Sequence, residues 1–319
     1  MRLLPPEIAR YFEDSDVTDI LINNETEIWV ERHGAIERGT DLAPGQIDAV
    51  LEKVLAPLGR RLDRLSPTVD ARLPDGTRMC AVIHPIAVHG TCVAFRLFRQ
   101  ATFDIAEFFD DCNNQNLEES IIDLLRSPHN ILITGSTGSG KTSLLASLIS
   151  EKQMLDNQNE RIIVIEDTHE LVVQHPHLVR LETRAATADG RGQITMDDLL
   201  RSALRLRPDR LVVGEVRGVE ALTLVQAMNT GHSRSLATLH ANSAIDGLHR
   251  LDLLTMQAAP GWTLQDARHM VDAAVGIVIH MARRPYGKRI ITQVARVLRT
   301  SPQETSSARL EYLYRNHDA

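Results

Sequence analysis

The 319 residues are 43% hydrophobic and 24% charged, an ordinary globular balance with enough apolar material for two cored domains. Thirty-five basic against forty-two acidic residues give a formal charge of −7. That excludes a broad basic footprint for nucleic acid, although a local patch at Arg201, Arg205, Arg207 and Arg210 stays open. Aromatic residues, at 4%, are too few for base-stacking platforms. No apolar run approaches the roughly 20 residues that cross a bilayer, and the first residues lack the basic and apolar regions of a signal peptide. Membrane contact is therefore expected to be peripheral. Cys80, Cys92 and Cys112 are scattered without C-x-x-C spacing, as in a reducing cytosol, and His175-Pro176-His177 lacks the partners of a zinc site.

Leu3 to Phe12 reads as a packed first helix. Strand-like runs at Val17–Ile22 and Glu27–Arg32 flank the turn cluster Asn23-Asn24-Glu25-Thr26. Ile47, Val50, Leu51, Val54 and Leu55 recur at helical spacing, with Pro44 before them and Gly59 after. Val69–Leu73 and Thr77–Ile83 border Pro74-Asp75-Gly76, a hairpin signal, and Thr91–Phe98 adds another strand. Residues 1–100 thus predict a small α+β domain with an antiparallel sheet. A polar stretch from Asp110 to Asn116 and a helix over Leu117–Leu125 form a linker and lead-in, residues 101–129.

From Asn130 the pattern changes. Apolar runs at Ile131–Thr134, Ile162–Glu166, Leu211–Gly214, Ser235–Leu239 and Gly276–His280 alternate with helical segments, which predicts a mostly parallel sheet over residues 130–319. Pro285-Tyr286-Gly287-Lys288 reads as a late hairpin turn.

The first of these runs leads into GSTGSGKT, residues 135–142, which meets the pattern G-x-x-x-x-G-K-[ST]. The glycines Gly135, Gly138 and Gly140 permit backbone turns that aim successive N–H groups of Ser136, Thr137 and Ser139 into one anion-sized hollow. Lys141 reaches the β- and γ-phosphates, and the Thr142 hydroxyl completes a Mg²⁺ shell. Thr142, Ser143 and the residues to Ile149 form the helix whose positive end faces the phosphates. A strand before and a helix after make this a nucleoside-triphosphate site. Glu166 and Asp167 end one apolar strand and Glu215 ends another, at the sheet edge where the phosphate loop lies. Glutamate's added methylene suits Glu215 to holding an attacking water. His240 ends a further strand and can face the same edge. Arg96 and Arg99 lie at the junction of the halves, where they could reach a triphosphate.

These segments resemble the secretion traffic ATPases of type II and type IV systems, over roughly residues 10–298. RIIVIEDTHEL (161–171) is similar to that family's Asp box, LRPDRLVVGEVRG (206–218) to its glutamate-bearing Walker B, and NTGHSRSLATLHANS (229–243) to its His box. SPTVDARLPDGTRM (66–79), VAFRLFR (93–99), PHLVRLETR (176–184) and QAMNTGH (226–232) resemble the tight-adherence (Flp) pilus branch called CpaF or TadA. The opening at LLPPEIARYFEDSDVTDILIN is more like the conjugation ATPases. The resemblance implies a RecA-like P-loop domain after the α+β domain, a hexameric ring, and ATP with Mg²⁺ as ligands. It also implies inner-membrane platform proteins as partners and a cytoplasmic location; the acidic balance and scarce aromatics add the expectation of no stable nucleic-acid binding. By position it makes Lys141 and Thr142 phosphate and Mg²⁺ ligands, Glu215 the base or water holder, Glu166 a support for metal or water, and His240 a γ-phosphate sensor. Arg96, Arg180 and Arg184 become phosphate contacts within or across subunits, in a cleft to which residues 1–100 contribute. Two departures stand out: Leu97 replaces the usual lysine after Arg96, and the tetracysteine module of some branches is absent. A nucleic-acid translocase, a nucleotide-binding switch and a small-molecule kinase are the competing readings.

Overall fold

The structure, a computed structural model, describes residues 4–97, 103–109, 115–150, 159–186, 190–284, 288–299 and 309–316. Arg99, Cys112 and the turn residues 285–287 lie outside them. The chain divides into Met1–Gln100 and Ala101–Ala319.

In the first unit, strands β1 (Val17–Asn23), β2 (Glu27–Arg32), β3 (Ala35–Arg38), β4 (Thr68–Arg72), β5 (Arg78–Val82) and β6 (Cys92–Arg96) form an antiparallel sheet. Its order is β3-β2-β1-β6-β5-β4. Alternation decides which face is covered: Ile20, Ile22, Ile28, Val30, Met79, Ala81, Val93 and Phe95 are all buried. They share one core with Ile8 and Phe12 of α1 (Pro6–Glu13) and with Ile47, Val50 and Leu51 of α2 (Gln46–Leu55). Phe12 meets Phe95 edge-on at 5.5 Å between ring centres. The Asp-Gly turn lies where expected: Leu73 and Thr77 close it, and Arg72 pairs with Arg78 across the strands. β3 was not foreseen; all four of its residues are exposed, so it carries no burial alternation to read.

The second unit holds a sheet in the order β14-β13-β12-β7-β11-β10-β8-β9. Its members are β7 (Ile131–Gly135), β8 (Ile162–Glu166), β9 (Leu178–Glu182), β10 (Arg210–Val213), β11 (Leu236–His240), β12 (Ile277–Arg283), β13 (Arg289–Val297) and β14 (Leu310–Arg315). From β12 to β9 the neighbours run parallel; β13 and β14 add antiparallel strands at the other edge. Every residue of β7, β8 and β10 is buried, because helices cover both faces. Leu132, Ile163, Ile165, Leu211, Val213 and Ala237 pack on one side with α5 (Met196–Leu204), α6 (Glu220–Asn229), α7 (Ala244–Ala258) and α8 (Leu264–Ala274). Their chain neighbours Ile131, Ile133, Ile162, Val164 and Val212 face the opposite side, against α3 (Gln115–Arg126) and α4 (Lys141–Ser150). Ile105, Phe108 and Phe109, in the stretch expected as a linker, belong to that second core.

Two buried charge groups brace this unit. Arg309, just before β14, donates to Asp252 of α7 and Asp272 of α8. Burial raises the Asp252 pKa, against the pull of Arg309. Arg210 is 2% exposed and bonds the Glu160 carboxylate at 3.0 Å, while Arg201 pairs with Asp197. The surface patch expected at Arg201, Arg205, Arg207 and Arg210 therefore loses its last member to the interior.

Candidate functional site

The site grows from the carboxyl end of β7. Gly135 closes that strand, and a side chain there would strike Ser139 Oγ at 2.4 Å and the Met281 carbonyl oxygen at 2.6 Å. Gly140 has φ +95°, a conformation that favours glycine. The loop then opens into α4, with Lys141 and Thr142 on its first turn. Ser139 is fully buried, and its hydroxyl has no hydrogen-bond partner among the described residues. A glycine loop at a helix N-terminus presents backbone N–H groups that suit an anion, and the orphaned hydroxyl is one more polar group there without a protein partner among the described residues.

Lys141 points into that loop. Its Nζ donates to the carbonyl oxygens of Gly135 at 3.0 Å and Ser136 at 2.9 Å, and contacts His240 Nδ1 at 3.2 Å. Burial lowers the Lys141 pKa from 10.5 to about 8; the nearby Glu215 carboxylate works against that shift. From His240 a chain of charges runs along the sheet edge. His240 Nε2 lies 3.0 Å from Glu215 Oε1, Glu215 Oε2 accepts from Arg217 at 2.7 Å, and Arg217 reaches Asp167 Oδ2 at 3.2 Å.

Chemistry fixes the protons in this chain. The Lys141 ammonium can only donate, so His240 Nδ1 accepts and Nε2–H faces the Glu215 carboxylate. The imidazole is therefore neutral. Burial and the Lys141 charge lower its pKa below the usual 6.5, with Glu215 opposing. For Glu215, burial would raise the pKa. The Arg217 hydrogen bond, the Arg217 charge, His240 and Lys141 outweigh it, and the net shift is downward.

The positions expected from sequence separate clearly. Lys141, His240 and Glu215 come together, because β11 adjoins β7 and β10 adjoins β11. Glu166 sits at the same edge, yet its Oε1 accepts from the backbone N–H groups of Glu170 and Leu171, and Oε2 faces His169 at 3.3 Å. It ties down the loop after β8. Arg180 and Arg184 lie on and just beyond β9, four places from β7, or roughly 19 Å at the usual strand spacing. Arg180 donates to the Val173 carbonyl and Arg184 to that of Gly192, so neither meets the phosphate loop within one chain. Arg96 ends β6 of the first unit, exposed and paired in register with Asp19 and Arg78. Arg217 was not singled out, although it stands inside a motif that was; the signal was a cation two residues past Glu215. Asp167, read with Glu166 as a strand-end carboxylate, pairs with Arg217. Thr142 offers the hard oxygen Mg²⁺ takes, and Glu215 and Asp167 line the same edge with carboxylates, so the donor set fits that ion.

Fold and site together define an α/β protein of the phosphate-loop type, with its reactive groups at the carboxyl edge of a parallel sheet. The chain belongs to the type II/IV secretion system protein family, which matches residues 6–312. It is 35% identical over 288 residues to a putative conjugal transfer protein of Mycobacterium tuberculosis (strain ATCC 25618 / H37Rv), covering 87% of this chain and 80% of that one. Conjugal transfer protein TrbB of Rhizobium radiobacter is 32% identical over 293 residues, with 90% and 86% covered. Among solved structures, the pilus retraction motor PilT with bound ADP shares the fold, with a TM-score of 0.66 and 23% identity over 98% of this chain and 84% of that chain. Among the described residues no helix is long and apolar enough to cross a membrane.

Proposed function

We propose that the protein hydrolyses Mg²⁺–ATP as a hexameric motor at the cytoplasmic face of the inner membrane, powering secretion or pilus assembly through platform proteins docked there. One observation carries the catalytic part: the path from Lys141 through His240 to Glu215, in steps of 3.2 and 3.0 Å, begins inside a phosphate loop. The triphosphate displaces the two carbonyl oxygens now held by Lys141, and the ammonium turns to the β- and γ-phosphates. With Lys141 gone from Nδ1, the imidazole can turn its Nε2–H from Glu215 to a γ-phosphate oxygen. Glu215, kept ionised by Arg217, orients water and accepts its proton. The water oxygen bonds to the γ-phosphorus as the bond to the β–γ bridging oxygen breaks, giving ADP and inorganic phosphate. Thr142, with Glu215 and Asp167 at the same edge, would hold Mg²⁺, which would supply neutralisation of the phosphate charge.

Phosphate release by Glu215→Gln beside wild type tests this. The variant should keep its ATP affinity and lose about 10²–10³-fold in kcat, the scale of a general base. Equal rates would remove Glu215 from the chemistry. Sedimentation with and without ATP tests the ring, and alanine replacements of Arg96, Arg180 and Arg184 test phosphate contacts made in the assembly.

The names of the two relatives favour a second reading of the cargo, conjugal transfer in place of Flp-type pilus assembly. Deleting the gene separates them: loss of surface pili supports the first, loss of plasmid transfer with pili of that type intact supports the second. The acidic balance weighs against a nucleic-acid translocase, which filter binding across a salt series would reveal by tight, salt-sensitive retention.

A further inference from the structure

The phosphate loop has a second flank, and its chemistry is not absorbed by the hydrolytic path. His240 and Glu215 lie on the β11 and β10 side of β7; β12 and β13 lie on the other. There Arg283 and Arg289 face each other in register across the two strands. A side chain on Gly140 would meet Arg289 Cδ at 2.7 Å, Cβ at 3.2 Å and Cγ at 3.3 Å, so the arginine stem lies flush on the loop backbone. Its guanidinium reaches Ser143 Oγ, in the first turn of α4, at 3.4 Å. Arg283 Nη1 lies 3.6 Å from where a Gly138 side chain would begin. Two guanidinium groups thus crowd a loop built to hold anions, in a chain whose formal charge is −7. Ser139, buried in the same loop beside Gly135, keeps an unpartnered hydroxyl, an independent sign of a loop made for a ligand.

We propose that Arg289, assisted by Arg283, grips the α-phosphate end of the bound nucleotide. The inference rests on the ATPase reading for its direction. With the terminal phosphate turned toward Glu215 and His240, the α-phosphate and nucleoside extend to the opposite flank, over β12 and β13. A guanidinium matches phosphate oxygens in a forked, charge-assisted geometry that an ammonium cannot reproduce. Both arginines then serve ADP and ATP alike and leave the breaking bond to the other flank.

Binding of fluorescent ADP and ATP to the full chain, together with steady-state hydrolysis, decides the matter. Arg289→Ala should weaken both nucleotides by the same factor, about 10- to 100-fold for one charged hydrogen-bonding group. KM for ATP should rise with it, and kcat at saturation should fall less than about threefold, because no transition-state contact is lost. Arg289→Lys should recover part of the affinity. Unchanged affinities, or a loss confined to ATP, overturn the proposal; so does a loss that lysine does not recover, which would mark a staple between β13 and α4. If Arg289→Ala does not fold, Arg283→Ala decides by the same readings with a smaller expected loss. Wild-type protein that binds ADP yet releases no phosphate defeats the motor reading and leaves this test readable. Wild-type protein that binds neither nucleotide defeats both.

Discussion

The two flanks of the phosphate loop hold their charges differently. On the β11–β10–β8 side, Lys141, His240, Glu215, Arg217 and Asp167 form an unbroken line of donor and acceptor, so each group's state depends on its neighbour. On the β12–β13 side, the Arg289 stem lies against Gly140 and the Arg283 guanidinium lies beside Gly138. The first arrangement can respond to protons and to a changing phosphate; the second is permanently charged and geometrically fixed. On the proposed reading, in which the site both holds a nucleotide and reacts with it, the separation keeps grip and chemistry apart.

The largest effect should come from Lys141→Ala. Removing the Lys141 ammonium should cost at least about 100-fold in ATP affinity, measured by equilibrium titration. A loss smaller than that of Arg289→Ala would reverse the roles given to the two flanks. Next comes Arg217→Ala, which removes the group that holds Glu215 ionised and oriented. Its kcat should fall about tenfold, the worth of one charged hydrogen bond. The acid limb of its pH–rate profile should also move to higher pH, since Arg217 lowers the Glu215 pKa. A profile that keeps its acid limb would detach Arg217 from Glu215.

The smallest effect concerns pH and affinity. In the free protein Lys141 loses its proton near pH 8, and a bound triphosphate raises that pKa. Binding therefore takes up protons above pH 8, and affinity falls there, at a limiting slope of about tenfold per pH unit. Below pH 8 the lysine is charged in both states and affinity should be flat. Calorimetry in buffers of different ionisation enthalpy measures the uptake directly. The slope should persist in Arg289→Ala and vanish in Lys141→Ala.

What sequence could show follows the same division. The strands of the parallel core are continuous apolar runs because both faces are covered, and their carboxyl ends carry Gly135, Glu215 and His240. Position at a strand end thus announced a common edge. The edge strands were silent: β9 and β14 are half exposed and mix charges with apolar residues, so neither reads as a buried run. Pairings across long stretches of chain were equally hidden. Nothing in local pattern says that Arg210 will bury against Glu160, or that strand order will set β12 beside β7 and so bring Arg289 onto Gly140. Glu166 and Asp167 show the finer limit. Adjacent residues at one strand end point to different partners, and the loop after β8 claims Glu166 for its own backbone.

Arg309 gives the molecule a late dependency. The acids it neutralises belong to two helices that leave the ribosome dozens of residues earlier, and both are enclosed in the finished unit. Until that arginine emerges, the two carboxylates lack the guanidinium that bridges them, and sealing the helices over them is costlier. The packing of these two helices in the second unit thus leans on a residue dozens of positions further along the chain, and Arg309→Ala should loosen it.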